Sequence, residues 1–250
     1  MAAFDVAVVG GGIIGGSIAF ELARQKLRVV LLDRQQPGQE ASWAAAGMLA
    51  PSPESPDAIP LVPLAKASLE LYPEFVAEVE QTSGRKVGYR QDGTLHAFFA
   101  AEAVHQLGTL LAVHHGVGLP TEALRPEDAQ RLEPALNSAA QAIALLPYEA
   151  RVDNRALTDA VLAAAATCGV VIRAGTAVTS LALEKNRCLG VIAGEERIPA
   201  GHVVIAAGCY SSQIEWLERY APTRPVRGQM VALRSTKVRL GCGPLEFCHE

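Results

Sequence analysis

Three glycines, Gly10, Gly12 and Gly15, stand directly after the apolar run Phe4-Asp-Val-Ala-Val-Val9, and apolar residues resume behind them at helical spacing as far as Arg24. A second apolar run, Val29-Val-Leu-Leu32, then closes on Asp33. An apolar run, a glycine turn, a segment of helical period and a second run, all within about 30 residues, read as strand, helix and parallel strand. Parallel strands joined by a crossover helix are covered on both faces, so the start of the chain commits it to α/β layers.

Each glycine answers a separate steric demand. Gly10 supplies the tight turn out of the strand, and Gly12 lets backbone N–H groups approach an anion with no Cβ in the way. Gly15, with Ala19 four residues on, keeps the helix face small enough to pack on the strand. The helix start adds free N–H donors and about half a positive charge, so a pyrophosphate is held there by backbone rather than by a lysine. Asp33 is placed to accept from ribose hydroxyls and to repel a 2′-phosphate, which disfavours NADP. The glycine spacing alone is weak evidence; strand, helix and closing acid together make it specific for a dinucleotide.

A chain of 250 residues, 50% hydrophobic and 19% charged, has the material for a sizeable core in one or two domains. Its net charge of -4 leaves no basic footprint, so no nucleic acid is expected as a partner. No basic leader precedes the first apolar stretch, and Glu21 and Arg24 lie within the helix behind the glycines, so neither a signal peptide nor a membrane span is expected. The cysteines Cys168, Cys188, Cys209, Cys242 and Cys248 are odd in number and form no C-x-x-C pair, which reads as reduced thiols of a cytoplasmic protein. Cys242, Cys248 and His249 lie close together without a fourth ligand or the usual spacing, so no metal is expected.

Further along, Ala41-Ser-Trp-Ala-Ala-Ala-Gly-Met-Leu49 is a run of small residues of the kind found where another layer comes close. Pro51, Pro53, Pro56, Pro60 and Pro63 mark a connector or lid rather than a regular element. Leu64 to Ser83 is expected to be helical with a break or kink at Pro73, and Asp92-Gly93 is expected to join Val87-Tyr89 and Thr94-Phe99 as a hairpin. Glu102 to His115 reads as a helix whose solvated end carries His114 and His115, Pro126 opens a short helix, and Ala142-Leu146 is a strand. Asn154 is expected to cap an alanine-rich helix stopped by Gly169. Val170-Arg173, Val178-Leu183, Cys188-Ala193 and Arg197-Ile198 read as strands of a meander and His202-Ala206 as a buried strand, followed by a helix from about Ser211 to Tyr220 and a strand Val226-Arg234. Arg90, Arg151, Arg227 and Arg234 are forks fit for a carboxylate but typical of surfaces, and Tyr89, Tyr148 and Tyr210 read as core edges.

Taken together, the opening fingerprint, the run Ala41 to Pro51, the strand His202-Val-Val-Ile-Ala-Ala-Gly208 and the segment Pro225-Val-Arg-Gly-Gln229 resemble the D-amino-acid oxidase family of FAD flavoproteins. The Ala-Ala-Ala-Gly-Met-Leu stretch is similar to its glycine oxidase branch, which serves thiamine biosynthesis. The resemblance implies an α/β fold in which an FAD-binding Rossmann-like domain of the glutathione-reductase type is interleaved with an antiparallel-sheet substrate domain, incomplete at the C-terminus. The parts expected are residues 1–84 and 151–222 for the FAD-binding domain, and 85–150 and 223–250 for the substrate domain.

By the same resemblance Gly10, Gly12, Ile13, Ile14 and Gly15, with Asp33 and Arg34, hold the ADP half of noncovalent FAD. Many members carry glutamate where this chain has Asp33. Ser42 and the Ala46-Gly47-Met48 backbone line the pyrophosphate and isoalloxazine side, Val178 brackets the adenine, and Ala207 and Gly208 return a strand end to the cofactor. The resemblance also implies oxidation of a small amino acid, glycine first, to an imine and then an oxo acid, with O2 reduced to H2O2. Such chemistry belongs largely to the cofactor, so no catalytic triad is expected, and the arginine for the substrate carboxylate is expected beyond Glu250. Sarcosine oxidase and D-amino-acid dehydrogenase are the enzyme alternatives. A non-catalytic nucleotide-binding fragment is the alternative of another class, and a homo-oligomer is compatible with all of them.

Overall fold

The computed structural model describes residues 4–53, 55–185, 187–231 and 245–247. The chain divides into two units, Met1–Ala46 with Val76–Gly88 and Asp153–Met230, and Gly47–Phe75 with Tyr89–Val152 and Val231–Glu250. Residues 47–75, assigned from sequence to the first part of the FAD-binding domain, thus fall in the second unit.

The opening unit is β1 (Phe4–Val9), α1 (Ile13–Arg24) and β2 (Val29–Leu32), as the sequence reading has it. Downstream in chain order come α2 (Ala41–Ala44), β3 (Met48–Leu49), α3 (Val62–Ser83), β4 (Thr94–Phe98), α4 (Ala103–Gly116), β5 (Glu122–Leu124) and α5 (Pro126–Leu132). They are followed by β6 (Ala142–Leu146), β7 (Ala150–Arg151), α6 (Asn154–Thr167), β8 (Val171–Arg173), β9 (Val178–Glu184), β10 (Arg187–Ala193), β11 (Glu196–Ile205) and β12 (Leu245–Phe247).

The first unit is built on a sheet of order β8-β2-β1-β11-β10-β9. Strands β8, β2, β1 and β11 run parallel, with Val8 paired to Leu31 on one side and Val204 on the other, while β10 and β9 are antiparallel to β11 and to each other. All four residues of β2 are buried, which is why it reads as an unbroken apolar run. On one side of the sheet Ala7, Val9, Val30, Leu32, Val191, Ile198, Ala200 and Ile214 form one core cluster. Fully burying a side chain the size of valine or leucine contributes about 1.5–3 kcal/mol. Helix α1 buries Gly15, Gly16, Ala19, Phe20 and Ala23, and a Cβ at Gly16 would lie 3.2 Å from Val161 Cγ1 of α6.

Strand β11 corrects the expected meander. Arg197-Ile198 and His202 to Ile205 belong to one strand that pairs with β10 through residues 196–199 and with β1 from Ala200 onward, and Ala206 lies just past its end. Pro199 lies within the strand, and opposite it Gly190, at φ +136, lets the two backbones come close, since a Cβ there would fall 2.1 Å from Ile198 O. The strand is less covered than expected: Val203 to Ile205 are half-buried and His202 is exposed. Behind it a 3-10 helix over Gly208–Gln213 replaces the expected helix from Ser211 to Tyr220. Residues 226–231 carry no regular structure, and the rest of the expected strand, with Arg234, Cys242, Cys248 and His249, lies outside the described residues.

In the second unit the sheet order is β12-β4-β6-β5, antiparallel from β4 to β5, and β3 pairs antiparallel with β7. Its core gathers Leu95, Ala97, Ala129, Leu136, Ala140 and Ile143. The expected hairpin at Asp92-Gly93 does not form: β4 pairs with β6, and Arg151 of β7 holds Asp92 at 2.9 Å. Residues 56–61 are a 3-10 helix with Pro56 in its first turn, where a missing N–H costs nothing, and α3 runs through Pro73 as one unbroken helix. Tyr89 and Tyr148 are half-buried; Arg90 and Arg227 are exposed.

His114 is a further correction, since the inner face of α4 buries it to 1% exposure while His115 stays outside. Its Nδ1 lies 2.7 Å from Thr121 Oγ1 and 3.4 Å from the Tyr148 hydroxyl, and among the described residues Nε2 has no hydrogen-bond partner. Burial, then the charge of nearby His96, holds the imidazole below its ordinary pKa. The unfolded chain takes up that proton near pH 6.5, so stability is full above about 6.5 and falls as the pH drops toward the lowered folded value. Thermal unfolding between about pH 7.5 and about pH 5 is therefore expected to lose stability more steeply in the parent than in His114→Gln.

Candidate functional site

The glycine turn sits where the strand order reverses, with β2 on one side of β1 and β11 on the other, the place where α/β sheets take ligands. Two backbone bonds clamp it: Gly10 N–H donates to Leu32 O at 2.8 Å, and Ala206 N–H donates to Val9 O at 2.8 Å. Gly10 has φ +107, and a Cβ there would lie 2.3 Å from Ala206 O. A Cβ on Gly15 would fall 1.9 Å from Gly10 O, so the first turn of α1 rests directly on the strand-to-helix turn. These two positions admit glycine alone.

Gly12 is the N-cap of α1 and supplies no side chain to it. The N–H of Ile13, one of the donors a helix start leaves without an intrahelical acceptor, goes instead to Ser42 Oγ at 2.9 Å. With that lone pair used, the Ser42 hydroxyl keeps its own hydrogen to donate. Ser42 Oγ stands 3.0 Å from the place a Cβ on Gly12 would occupy, and the Ile14 side chain is 66% exposed beside them. An anion cradle of backbone donors, a hydroxyl and a helix N-terminus, with no Cβ to fill it, fits a pyrophosphate.

Asp33 binds the same turn from below. Its Oδ2 accepts from Gly11 N–H at 2.8 Å and its Oδ1 from Gln35 N–H at 2.8 Å. Thr176 N–H donates to Asp33 O at 2.7 Å, and Asp33 N–H to Arg173 O at 3.0 Å, so the residues after β8 fix the acid's backbone. Gly11 is a site residue that the fingerprint glycines overshadow: a Cβ on it would meet Pro37 Cβ at 2.7 Å and Asp33 Oδ2 at 3.1 Å. Arg34 donates to Glu40 at 2.7 Å and lays its guanidinium 3.4 Å from the centre of the Tyr210 ring.

Not every expected residue meets the turn. Val178 opens β9, pairs with Ala193 and packs against the core cluster of the sheet. Ala207 is half-buried behind the clamp at Ala206, and Gly208, at φ +56, is exposed at the start of the 3-10 helix. Ala44, Ala45 and Ala46 are exposed rather than covered by a packed layer. Gly47 and Met48 belong to the second unit, where Gly47 O accepts from Val152 N–H at 2.9 Å and Met48 pairs with Arg151. No cluster of metal-ligating side chains occurs among the described residues, and no helix among them is long and apolar enough to cross a membrane.

Residue Asn154 does not cap α6. The cap is Asp153, whose Oδ1 accepts from the N–H groups of Arg155 at 3.1 Å and Ala156 at 3.0 Å. The Asn154 side chain turns instead to α2, through contacts 111 and 112 residues back along the chain with no local signature.

The chain is 35% identical over 233 residues to the bifunctional protein ThiO/ThiG of Synechocystis sp., covering 92% of this chain and 33% of that protein. It is 32% identical over 235 residues to the glycine oxidase of Geobacillus kaustophilus, covering 93% of this chain and 62% of the relative. The crystal structure of glycine oxidase from Geobacillus kaustophilus matches at a TM-score of 0.79 and 31% identity over 86% of this chain and 58% of that one. Glycine oxidase from Bacillus cereus matches at a TM-score of 0.79 and 28% identity, over 87% of this chain and 60% of that one. The chain therefore spans a third to about three fifths of the length of these relatives. The family described as FAD dependent oxidoreductase, DAO, matches residues 5–246. With the glycine turn, the closing acid and the returning strand end in one place, the chain belongs to the DAO family of FAD-dependent oxidoreductases.

Proposed function

We propose that this chain binds the ADP half of FAD at the β1–α1 turn and belongs to an enzyme that oxidises the Cα–N bond of a small amino acid, glycine first. The clamp of Gly10 between Leu32 and Ala206, with the Ser42 hydroxyl over Gly12, carries this reading. Gly10 to Gly15 and Ser42 hold the pyrophosphate, Asp33 and Arg34 the ribose and adenine side, and Val178, Ala207 and Gly208 the flank. Ala46 is assigned to the flavin side. When bound, FAD supplies a two-electron acceptor that takes a hydride equivalent from the substrate Cα and is reoxidised by O2 to give H2O2.

The protein's own part is binding, orientation and charge. The α1 N-terminus offsets phosphate charge, and Asp33 keeps the turn closed while leaving room for further hydrogen bonds on its two oxygens. The free thiols Cys168, Cys188 and Cys209 fit a cytoplasmic setting. Oxygen uptake and peroxide formation with glycine, sarcosine and D-alanine test the substrate: the largest kcat/KM is expected with glycine, and turnover of D-alanine or sarcosine alone would overturn that choice.

The Gly11 contact changes what is expected of Asp33. Replacing it by alanine removes charged hydrogen bonds worth about 1.5–3 kcal/mol when buried and less at this half-exposed site. Asp33→Ala is expected to weaken FAD about 10-fold and to lower the melting temperature of the apoprotein by a few degrees as the turn loosens. Flavin titration and thermal unfolding of the apoprotein, run side by side, check both effects.

A further inference from the structure

Helix α2 is one turn long and buries none of its residues, so neither propensity nor a core of its own holds it in place. Two side chains at the start of α6 do. Asn154 Nδ2 donates to Ser42 O at 2.7 Å and to Trp43 O at 3.1 Å. Arg155 Nε donates to Trp43 O at 3.2 Å, and its guanidinium lies 3.6 Å from the centre of the Trp43 ring. These carbonyls are among those that a helix end leaves without an intrahelical donor. On its other side the same turn of chain presents Ser42 Oγ to the N–H of Ile13.

The contacts form one line from α6 through α2 to the mouth of the glycine turn. Its end lies at the cradle, because Ser42 Oγ is 3.0 Å from where a Cβ on Gly12 would be. Its origin is separable from the fold of α6, because Asp153 already caps that helix and the Asn154 side chain takes no part in the cap. We infer that Asn154 is a positioning residue for the pyrophosphate cradle, acting through the Ser42 hydroxyl with Arg155 as its brace. The inference rests on the FAD reading given above.

A residue that acts through another loses its effect once that other is removed. FAD dissociation constants of the full protein are to be measured for the parent, Asn154→Ala, Ser42→Ala and the double variant, with thermal unfolding of each apoprotein. Each single variant is expected to bind FAD about 10-fold more weakly, and the double variant also about 10-fold rather than the roughly 100-fold of independent sites. The melting temperature of the Asn154→Ala apoprotein is expected to stay within about 2 °C of the parent, since the α6 cap is intact. Asn154→Asp keeps the size of the side chain but turns a carboxylate toward two carbonyl oxygens, and it is expected to weaken FAD at least as much. Parental affinity in either position-154 variant, or a double variant weakened about 100-fold, would overturn the inference. A parent protein that takes up no FAD would overturn the FAD reading and this inference with it, a result distinct from a parent and variants that bind alike.

Discussion

Replacing Gly15 by alanine is expected to be among the most costly single methyl additions in the first unit. The new Cβ would stand 1.9 Å from Gly10 O, a backbone atom that is itself fixed by the Gly10 N–H bond to Leu32 and by the left-handed φ of Gly10. No rotamer change relieves such a contact, so either the start of α1 moves off the turn or the turn opens. Overpacking in a well-packed interior costs about 1–3 kcal/mol, and a clash with clamped backbone belongs at or above the top of that range. Against a net stability of about 5–15 kcal/mol, a loss of about 3 kcal/mol lowers the melting temperature by roughly 6–12 °C for a domain of this size. Thermal unfolding of the apoprotein measures it, and FAD is expected to be lost as well because the cradle moves with the helix. A Gly15→Ala protein that melts with the parent would mean that α1 does not rest on the turn.

Gly12→Val is expected to separate binding from folding. Gly12 has φ -74 and ψ -176, extended backbone open to any residue, so the substitution is not strained in the way Gly15→Ala is. What the branched side chain does is fill the cradle: its Cβ would touch Ser42 Oγ at 3.0 Å, and its methyls would take the space that a pyrophosphate needs beside the helix start. FAD affinity is expected to fall at least about 100-fold, about 2.7 kcal/mol, with a melting temperature of the apoprotein close to the parent's. Gly12→Ala, which adds the Cβ alone, is expected to lie between. Equal flavin content in the parent and in Gly12→Val after gel filtration would place the cofactor elsewhere.

The parts of the molecule that were legible in sequence are those governed by local rules. The β1–α1–β2 unit shows as a change of apolar period around three glycines, and the roles of Gly10 and Gly15 follow from steric demands that any chain would meet there. Less legible were features that depend on partners far along the chain. Arg197-Ile198 and His202-Ala206 look like two strands because Pro199 falls between them, whereas pairing with β10 on one side and β1 on the other carries a single strand through it. His114 looked like a solvated helix end because a histidine near a C-terminus is favoured by the dipole, whereas the packing of α4 turns it inward. Asn154 looked like a cap by residue type, yet Asp153 one place earlier competes for the same N–H groups and takes them.

For the candidate site, Asp33 was recognised as an acid facing a ribose, but its bond to Gly11 joins residues 22 apart and has no spacing signature. Ser42 entered through family resemblance alone, since its bond to Ile13 spans 29 residues. Local chemistry therefore marks the turn proposed for the pyrophosphate, and the contacts that close that turn come from tertiary structure.

The central claim is that the turn between β1 and α1 holds the ADP half of noncovalent FAD. The measurement that tests it most directly is a titration of the full protein, stripped of flavin, with FAD, followed by competition with ADP and with riboflavin. Saturation at about one FAD per chain, displacement by ADP but not by riboflavin at equal concentration, and release of the flavin on acid precipitation are the expected results. Protein that takes up NAD but no FAD, or FAD that ADP fails to displace, would contradict the account.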